Sequence, residues 1–191
     1  IDGAPVFRSK NITVRNNKIT ENAGDAILLI GVESSVIEYN TVADSILIGD
    51  RTDADIAWAS VWYHSSYNSV IQYNEVYGNS GSNGGHDLQA FDLDIACDSC
   101  IVQYNYSHDN DGGFMLLCGT EASDGGAVRN SVVRYNLSVN DGIAGLSVFD
   151  ITGSAVNSQI YNNTVFCGKN DVKLINFANY QKVNTLSAGT V

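Results

Sequence analysis

The sequence predicts an all-β solenoid, in which short parallel strands stack coil upon coil along one axis. A motif of the form apolar-x-Tyr-Asn-x-apolar recurs along the chain, and each period holds a second short apolar segment. No segment keeps the 3.6-residue spacing of apolar residues that marks an amphipathic helix. Short strands at a regular repeat, with turns of variable length between them, are typical of β-solenoids. A leucine-rich repeat is less favoured because its Leu-x-x-Leu-x-Leu spacing is missing.

An asparagine aligns the copies of this repeat. The aligned asparagines follow one another at spacings of 23, 34, 31, 31 and 27 residues, and they are Asn17, Asn40, Asn74, Asn105, Asn136 and Asn163. The second apolar segment of each period lies at residues 26–30, 57–63, 90–95, 114–118, 146–149 and 172–177. The residues between strands are mainly Gly, Asn, Asp and Ser, which favour turns.

The asparagine column predicts a side-chain ladder. Equivalent residues of stacked coils lie about 4.8 Å apart, and a side-chain amide both donates and accepts hydrogen bonds. Asparagine also tolerates the left-handed backbone conformation of a sharp corner. We therefore expect these asparagines to lie at one corner of every coil and to bond to each other.

On this repeat and this column, the sequence resembles the right-handed parallel β-helix superfamily of pectate-lyase-like proteins. The resemblance covers nearly the whole chain and implies a right-handed parallel β-helix of about six or seven coils with an Asn ladder. The superfamily contains lyases, hydrolases, epimerases and non-catalytic surface proteins, so the resemblance implies a carbohydrate-related role without choosing among them. We expect one domain over residues 1–191, belonging to a longer chain, because the repeat continues close to both ends.

Two aspartates on one predicted strand form the strongest candidate for a catalytic site. Phe91 and Leu93 should face the core, so Asp92 and Asp94 should share the outer face. Two carboxylates about 7 Å apart repel each other, which should raise one pKa. Glycosidases use such pairs, and separations of about 6.5–9.5 Å are typical of an inverting mechanism. We therefore predict that Asp92 and Asp94 are catalytic.

Further candidates surround this pair along the sequence. Asp111 is a third candidate catalytic residue, and the candidate substrate-binding residues are Gln89, His108, Asp109, Trp58, Trp62 and His64. Counting back from the ladder asparagines aligns Trp62 with the core-facing Leu93, whereas a register one residue different turns it outward. Core packing and a sugar platform are therefore both open for the tryptophans.

A second acidic series suggests either turns or calcium. Asp87, Asp111, Asp141 and Asp171 each precede a predicted strand at spacings that fit the repeat. Asx turns before each strand are the favoured explanation. No cofactor is required by the hydrolase hypothesis, but Ca²⁺ with its oxygen ligands is the alternative, held by Asp92, Asp94 and Asp109.

The absence of a base in the sequence near the aspartates favours hydrolysis over elimination. A β-elimination lyase needs an Arg or Lys base, and no such residue lies between Tyr73 and Val128. Arg51, Arg129 and Arg134 could reach the aspartates only from other coils. The Asn-Thr-Asp, Gly-His-Gly and Arg-Ile-Lys motifs of polygalacturonases are also missing. A glycoside hydrolase is therefore the first hypothesis, a calcium-dependent polysaccharide lyase the second, and a non-catalytic glycan-binding or surface protein the third.

Composition limits the partners and suggests a location. Ten Lys and Arg residues against 21 Asp and Glu residues give a formal charge of −11, which argues against nucleic acid as a partner. No apolar run is long enough to span a membrane. We expect a secreted or extracellular (or periplasmic) protein that binds poly- or oligosaccharides, and the oligomeric state is open. The four cysteines, Cys97, Cys100, Cys118 and Cys167, are expected to be core thiols or disulfides, because a single C-x-x-C fits neither zinc nor a redox site.

Overall fold

The protein is described by a computed structural model over residues 8–46, 58–80, 88–121, 125–142, 146–168, 171–178 and 188–190. Within these ranges the regular structure consists of short strands, and every strand pairing is parallel. No helix in the described part of the chain is long and apolar enough to span a membrane. These observations confirm the all-β parallel solenoid.

Three sheets run side by side along the axis. The first sheet consists of Thr13–Arg15, Val36–Glu38, Val70–Gln72, Ile101–Gln103, Val132–Arg134 and Ala155–Tyr161, with Val128–Arg129 and Ala188–Thr190 pairing to the last of these. The second consists of Lys18–Thr20, Thr41–Ala43, Glu75–Tyr77, Tyr106–His108, Leu137–Val139 and Thr164–Phe166. The third consists of Ile27–Ile30, Val61–His64, Phe91–Asp94, Met115–Cys118, Phe149–Thr152 and Ile175–Ala178. Ser9–Lys10 and Val32–Glu33 form a separate pair.

Alternation along each strand builds the core. In the first sheet the middle residue of each three-residue strand points inward, and Ile37, Ile71, Val102 and Val133 are fully buried. These residues are also register partners from one coil to the next, for example Ile37 with Ile71 and Ile71 with Val102. Like side chains therefore stack along the axis, because the same repeat position recurs in each coil.

The asparagine ladder is present as expected. Each amide nitrogen Nδ2 donates to the Oδ1 of the next ladder asparagine at 2.9–3.1 Å, over all five steps from Asn17 to Asn163. The four inner members of the ladder are buried, where an unpaired amide would be costly. The ladder thus satisfies these amides and fixes the register of the coils.

The left-handed corner lies one residue earlier than expected. Tyr39, Tyr73, Tyr104 and Tyr135 precede the ladder asparagines and have φ of 54° or 55°, whereas the asparagines themselves do not have positive φ. Their rings stack on one another with centroids 5.1–5.4 Å apart. Stacking of about 0.5–1.5 kcal/mol per pair offsets the strain of a left-handed aromatic residue. The tolerance of asparagine for this conformation is therefore not what places the asparagines at the corner.

None of the four cysteines forms a disulfide. Cys97, Cys100 and Cys118 are buried, and Cys167 is partly exposed. The Cys97 thiol lies 3.3 Å from the carbonyl oxygen of Tyr63, and burial is the main cause that raises the pKa of Cys97. The expectation of core thiols holds for Cys97 and Cys100, which both belong to the hydrophobic core.

Candidate active site

The outer face of the third sheet brings the two candidate aspartates into line with residues of neighbouring coils. Phe91 and Leu93 are fully buried in the core, and Asp92 and Asp94 alternate with them. The parallel register defines two outward rows, which are Trp62–Asp92–Leu116–Asp150 and His64–Asp94–Cys118–Thr152. The pair thus lies at the middle of the sheet, with strands stacked on both sides.

The first outward row is enclosed. Asp92 is 4% exposed and Trp62 is 8% exposed. Both side chains are therefore buried, even though they point away from the core. Asp94, at the end of its strand, is more accessible than Asp92. An enclosed carboxylate beside an accessible one provides two different environments, which is what acid and base roles require.

Asp94 has a raised pKa with identifiable causes. Burial is the largest cause and raises the pKa, because the charged form loses hydration. Three neighbours oppose it: the backbone N–H of Ile95, which donates to Asp94 Oδ1 at 2.7 Å, a hydrogen bond with the Cys118 side chain, and the charge of His64. A carboxyl group with a raised pKa retains its proton to higher pH and can act as an acid.

The register turns Trp62 outward. Trp62 pairs with Asp92, and Tyr63 is the residue that pairs with the core-facing Leu93. Five residues separate His64 from Val70, but six separate Asp94 from Ile101, so counting back from the ladder misaligns the two strands by one residue. The alignment of Trp62 with Leu93 was wrong for this reason, and Trp62 lies beside the pair.

Asp25 is a residue of this face that the sequence did not single out. Its Oδ1 accepts a hydrogen bond from Trp62 Nε1 at 2.9 Å and one from the backbone N–H of Ala59 at 3.3 Å. Burial raises the pKa of Asp25, and these two hydrogen bonds lower it. Asp25 belongs to the segment before the first strand of the sheet, where no repeat motif marks it.

Asp150 is a second missed residue, and here the sequence did contain a signal. Phe149-Asp150-Ile151 repeats the pattern of Phe91-Asp92-Leu93, and Asp150 lies in the same outward row as Asp92 with Leu116 between them. Burial raises the pKa of Asp150, while a hydrogen bond from Asn176 and the charge of Lys173 lower it. Comparing the second strands of each coil would have found it.

Gln89 and Trp58 precede the strands of this sheet. Gln89 is 2% exposed, and within the described residues its Oε1 has no hydrogen-bond partner. Trp58 is partly buried, and a Cβ added at Gly24 would lie 3.7 Å from its ring. A buried acceptor of this kind can receive a hydrogen bond from a bound hydroxyl group.

The remaining candidates lie elsewhere. His108 ends a strand of the second sheet, where it stacks on Tyr77 and its Nδ1 lies 2.9 Å from Asp109 Oδ2. Asp111 lies in the turn that follows, and its backbone N–H donates to the carbonyl of Asn79. The structure therefore does not bring His108, Asp109 and Asp111 into the two outward rows of the third sheet.

The acidic series does not align as a column. Asp141 is level with Asn110, whose Nδ2 donates to Asp141 Oδ1 at 2.7 Å, so Asp111 and Asp141 occupy different repeat positions. Asp87 lies outside the described residues, as does Arg51. No group of three or more His, Cys, Asp or Glu side chains in the described ranges could hold a metal ion. Because Asp109 lies beside His108 at the end of a strand of the second sheet, the proposed calcium ligands are not gathered in one place.

Two of the three arginines considered as lyase bases, Arg129 and Arg134, lie on the first sheet. Arg129 pairs with Val156, and Arg134 donates to Gln103 Oε1 at 3.0 Å and to the Tyr161 hydroxyl at 3.0 Å. Within the described part of the chain, no strand of the third sheet contains Lys or Arg. This placement does not favour elimination at Asp92 and Asp94.

Comparison with known proteins identifies the class. Residues 2–165 match the family described as the right-handed β-helix region, so the chain belongs to that family. It is 32% identical over 185 residues to a lacto-N-biosidase of Bifidobacterium longum subsp. longum, an alignment that covers 93% of this chain and 11% of the relative.

Two solved structures with the same fold are also of a lacto-N-biosidase. Two crystal structures of the GH136 lacto-N-biosidase from Eubacterium ramulus, a selenomethionine derivative and the native protein, each match with a TM-score of 0.62 and 21% identity. The alignments cover 94% and 93% of this chain and 27% of those chains. The chain thus spans about a quarter of their length, and at this identity the likeness shows the fold.

Proposed function

We propose that this chain forms the active-site coils of a glycoside hydrolase that acts on oligosaccharides. The observation that carries the proposal is the position of Asp92 and Asp94 on the outer face of the third sheet, with a raised pKa at Asp94. The similarity to a lacto-N-biosidase over 93% of this chain supports the same reaction class. We also propose that the protein acts outside the cell, where such glycans are accessible.

The chemistry assigns a role to each carboxyl group. Asp94, whose pKa is raised above its ordinary value, protonates the glycosidic oxygen as the bond to the anomeric carbon breaks. Asp92 accepts a proton from a water molecule, whose oxygen forms the new bond at that carbon. Strands hold alternate residues about 7 Å apart at Cα, and this spacing leaves room for the water of an inverting mechanism.

Neighbouring side chains fit a sugar as the ligand. Trp62 lies beside Asp92 in the outward row, where an indole ring can contact the apolar face of a sugar. The unpartnered Oε1 of Gln89, among the described residues, can accept a hydrogen bond from a sugar hydroxyl. Residues 79–85 and 119–127, which we expect to influence which glycan binds, lie partly outside the described residues.

A chromogenic lacto-N-bioside is the substrate that tests the proposal. We expect release of the chromophore together with a new reducing sugar, because hydrolysis adds water across the bond. An unsaturated sugar, detected by its ultraviolet absorbance when a uronic-acid polysaccharide is offered as the substrate, would instead support the lyase. Binding to glycans without any cleavage would support the non-catalytic alternative.

Product stereochemistry tests the assignment of the pair. If Asp92 and Asp94 are the catalytic carboxylates at strand spacing, proton NMR should show the inverted anomer as the first product. A retained anomer would require a carboxylate that reaches the anomeric carbon, and the pair proposed here would be wrong. Asp87, the acidic residue that precedes Asp92 in sequence, would then be the next residue to substitute.

A further inference from the structure

Asp94 has a functional neighbour on each side in its outward row. His64 lies opposite it in the preceding strand, and Cys118 lies opposite it in the following strand. Both act on the carboxyl group, since Cys118 forms a hydrogen bond with it and His64 interacts with its charge. The carboxyl group at the end of the strand is thus held from two adjacent coils.

Ser65 fixes the ring of His64. The Ser65 Oγ lies 2.8 Å from His64 Nδ1 and 3.3 Å from the carbonyl oxygen of Ile95, which also accepts the Ser65 backbone N–H at 2.9 Å. A hydroxyl group has one proton, and the carbonyl oxygen can only accept it. With its proton directed to that carbonyl oxygen, Ser65 Oγ accepts a hydrogen bond from the Nδ1–H of His64. This leaves Nε2 as the ring nitrogen available to a neighbouring group.

We infer that Ser65 and His64 are positioning residues for Asp94, with Ser65 holding the imidazole so that its Nε2 edge serves the Asp94 carboxyl group. The inference rests on the proposed function, in which Asp94 donates the proton. Ile95, the residue directly after Asp94, is also the residue whose carbonyl anchors Ser65. The same turn therefore sets the positions of the carboxyl group and of the imidazole that faces it.

Few other charges act on this pair in the described part of the chain. Asp92 lies in the same strand as Asp94, and Cys118 is the neighbour of Asp94 in the next strand. The register partner of His64 in the strand before it is the apolar Ile30. Arg8 Nε lies 3.5 Å from the carbonyl oxygen of Ser65, the residue after His64. His64 is therefore the basic side chain that the preceding strand, Val61–His64, places beside Asp94.

Two neutral replacements of His64 separate positioning from charge. Gln can place a donor near the Nε2 position, whereas Asn reaches only the Nδ1 position that bonds Ser65. We expect His64→Asn to lower kcat about 10-fold or more by misplacing Asp94, and His64→Gln to retain more of the rate. In both variants the basic limb of the kcat/KM profile should move to higher pH, because the charge that lowers the pKa of Asp94 is gone.

Ile30→Gln is the matched control. Ile30 is 61% exposed and lies in the same row on the far side of His64, so its variant should leave the pH profile unchanged. An unmoved basic limb in both His64 variants would overturn the inference. A loss of rate as large in His64→Gln as in His64→Asn would overturn the positioning role.

Histidine NMR separates this inference from the proposed function. In ¹⁵N-histidine-labelled protein, neutral His64 should carry its proton on Nδ1, Ser65→Ala should weaken that preference, and Asp94→Asn should shift the Nε2 resonance of His64. Neutral His64 protonated on Nε2, or an Nε2 resonance unmoved by Asp94→Asn, would overturn the inference whether or not the protein hydrolyses a lacto-N-bioside. If the wild type releases no sugar while these NMR results hold, the proposed function fails and the coupling of His64 to Asp94 stands.

Discussion

Asp141 shows how a buried carboxyl group is built into the stack. It ends a second polar ladder, in which Ser45 donates to Asn79, the backbone N–H of Asn79 donates to Asn110, and Asn110 donates to Asp141. Ser138 Oγ also donates to Asp141 Oδ2 at 2.6 Å. Burial is nevertheless the largest influence on Asp141, and it raises the pKa. The folded protein therefore favours the protonated carboxyl group.

This raised pKa predicts a pH-dependent stability. Between the ordinary Asp pKa and the raised pKa, the folded state binds more protons than the unfolded state, so the free energy of unfolding falls as pH increases. The stabilising contribution is complete below that window and lost above it. Asp141→Asn should raise the free energy of unfolding at neutral pH by about 1 kcal/mol and weaken this pH dependence, as measured by urea denaturation at acidic and neutral pH. A variant that is less stable at neutral pH would show that the carboxylate's hydrogen bonds outweigh its burial.

At the scale of the elements, the asparagine ladder predicts that loss of an inner asparagine destabilises the fold more than loss of a terminal one. Asn105 Oδ1 accepts from both the backbone N–H and the Nδ2 of Asn74, and its own Nδ2 donates to Asn136 and to the Ile71 carbonyl. Asn105→Ala would leave these buried groups unpaired, at a cost of about 1–3 kcal/mol for each. The terminal Asn17 is exposed, so Asn17→Ala is the matched control and should cost less. Equal losses in urea denaturation would mean that the ladder does not carry the stability assigned to it.

At the scale of the whole molecule, the fold was predictable because it is a repeat. The Tyr-Asn motif fixes one corner of each coil, and the spacing of Asn74, Asn105 and Asn136 gives the register of the first sheet without further information. The outward alternation of Asp92 and Asp94 with Phe91 and Leu93 follows from strand geometry in the same way.

The features that could not be predicted depend on turns and on packing between coils. One additional residue in the turn after Asp94 shifted the expected position of Trp62. The left-handed conformation of Tyr104 depends on rings above and below it, which no local propensity encodes. Asp25 reaches Trp62 across 37 positions of sequence, so only the folded stack reveals that contact.

Substitution of the two aspartates tests the central claim most directly. Asp92→Asn and Asp94→Asn should each lower kcat on a lacto-N-bioside by about 10²-fold or more, since each removes an acid or a base at nearly constant shape. Asp98→Asn is the matched control, because Asp98 follows the same strand but pairs with Tyr67 and Arg129 on the side of the first sheet. We predict that the control keeps the wild-type rate while both site variants lose it. Wild-type turnover by either Asp92→Asn or Asp94→Asn would contradict the account.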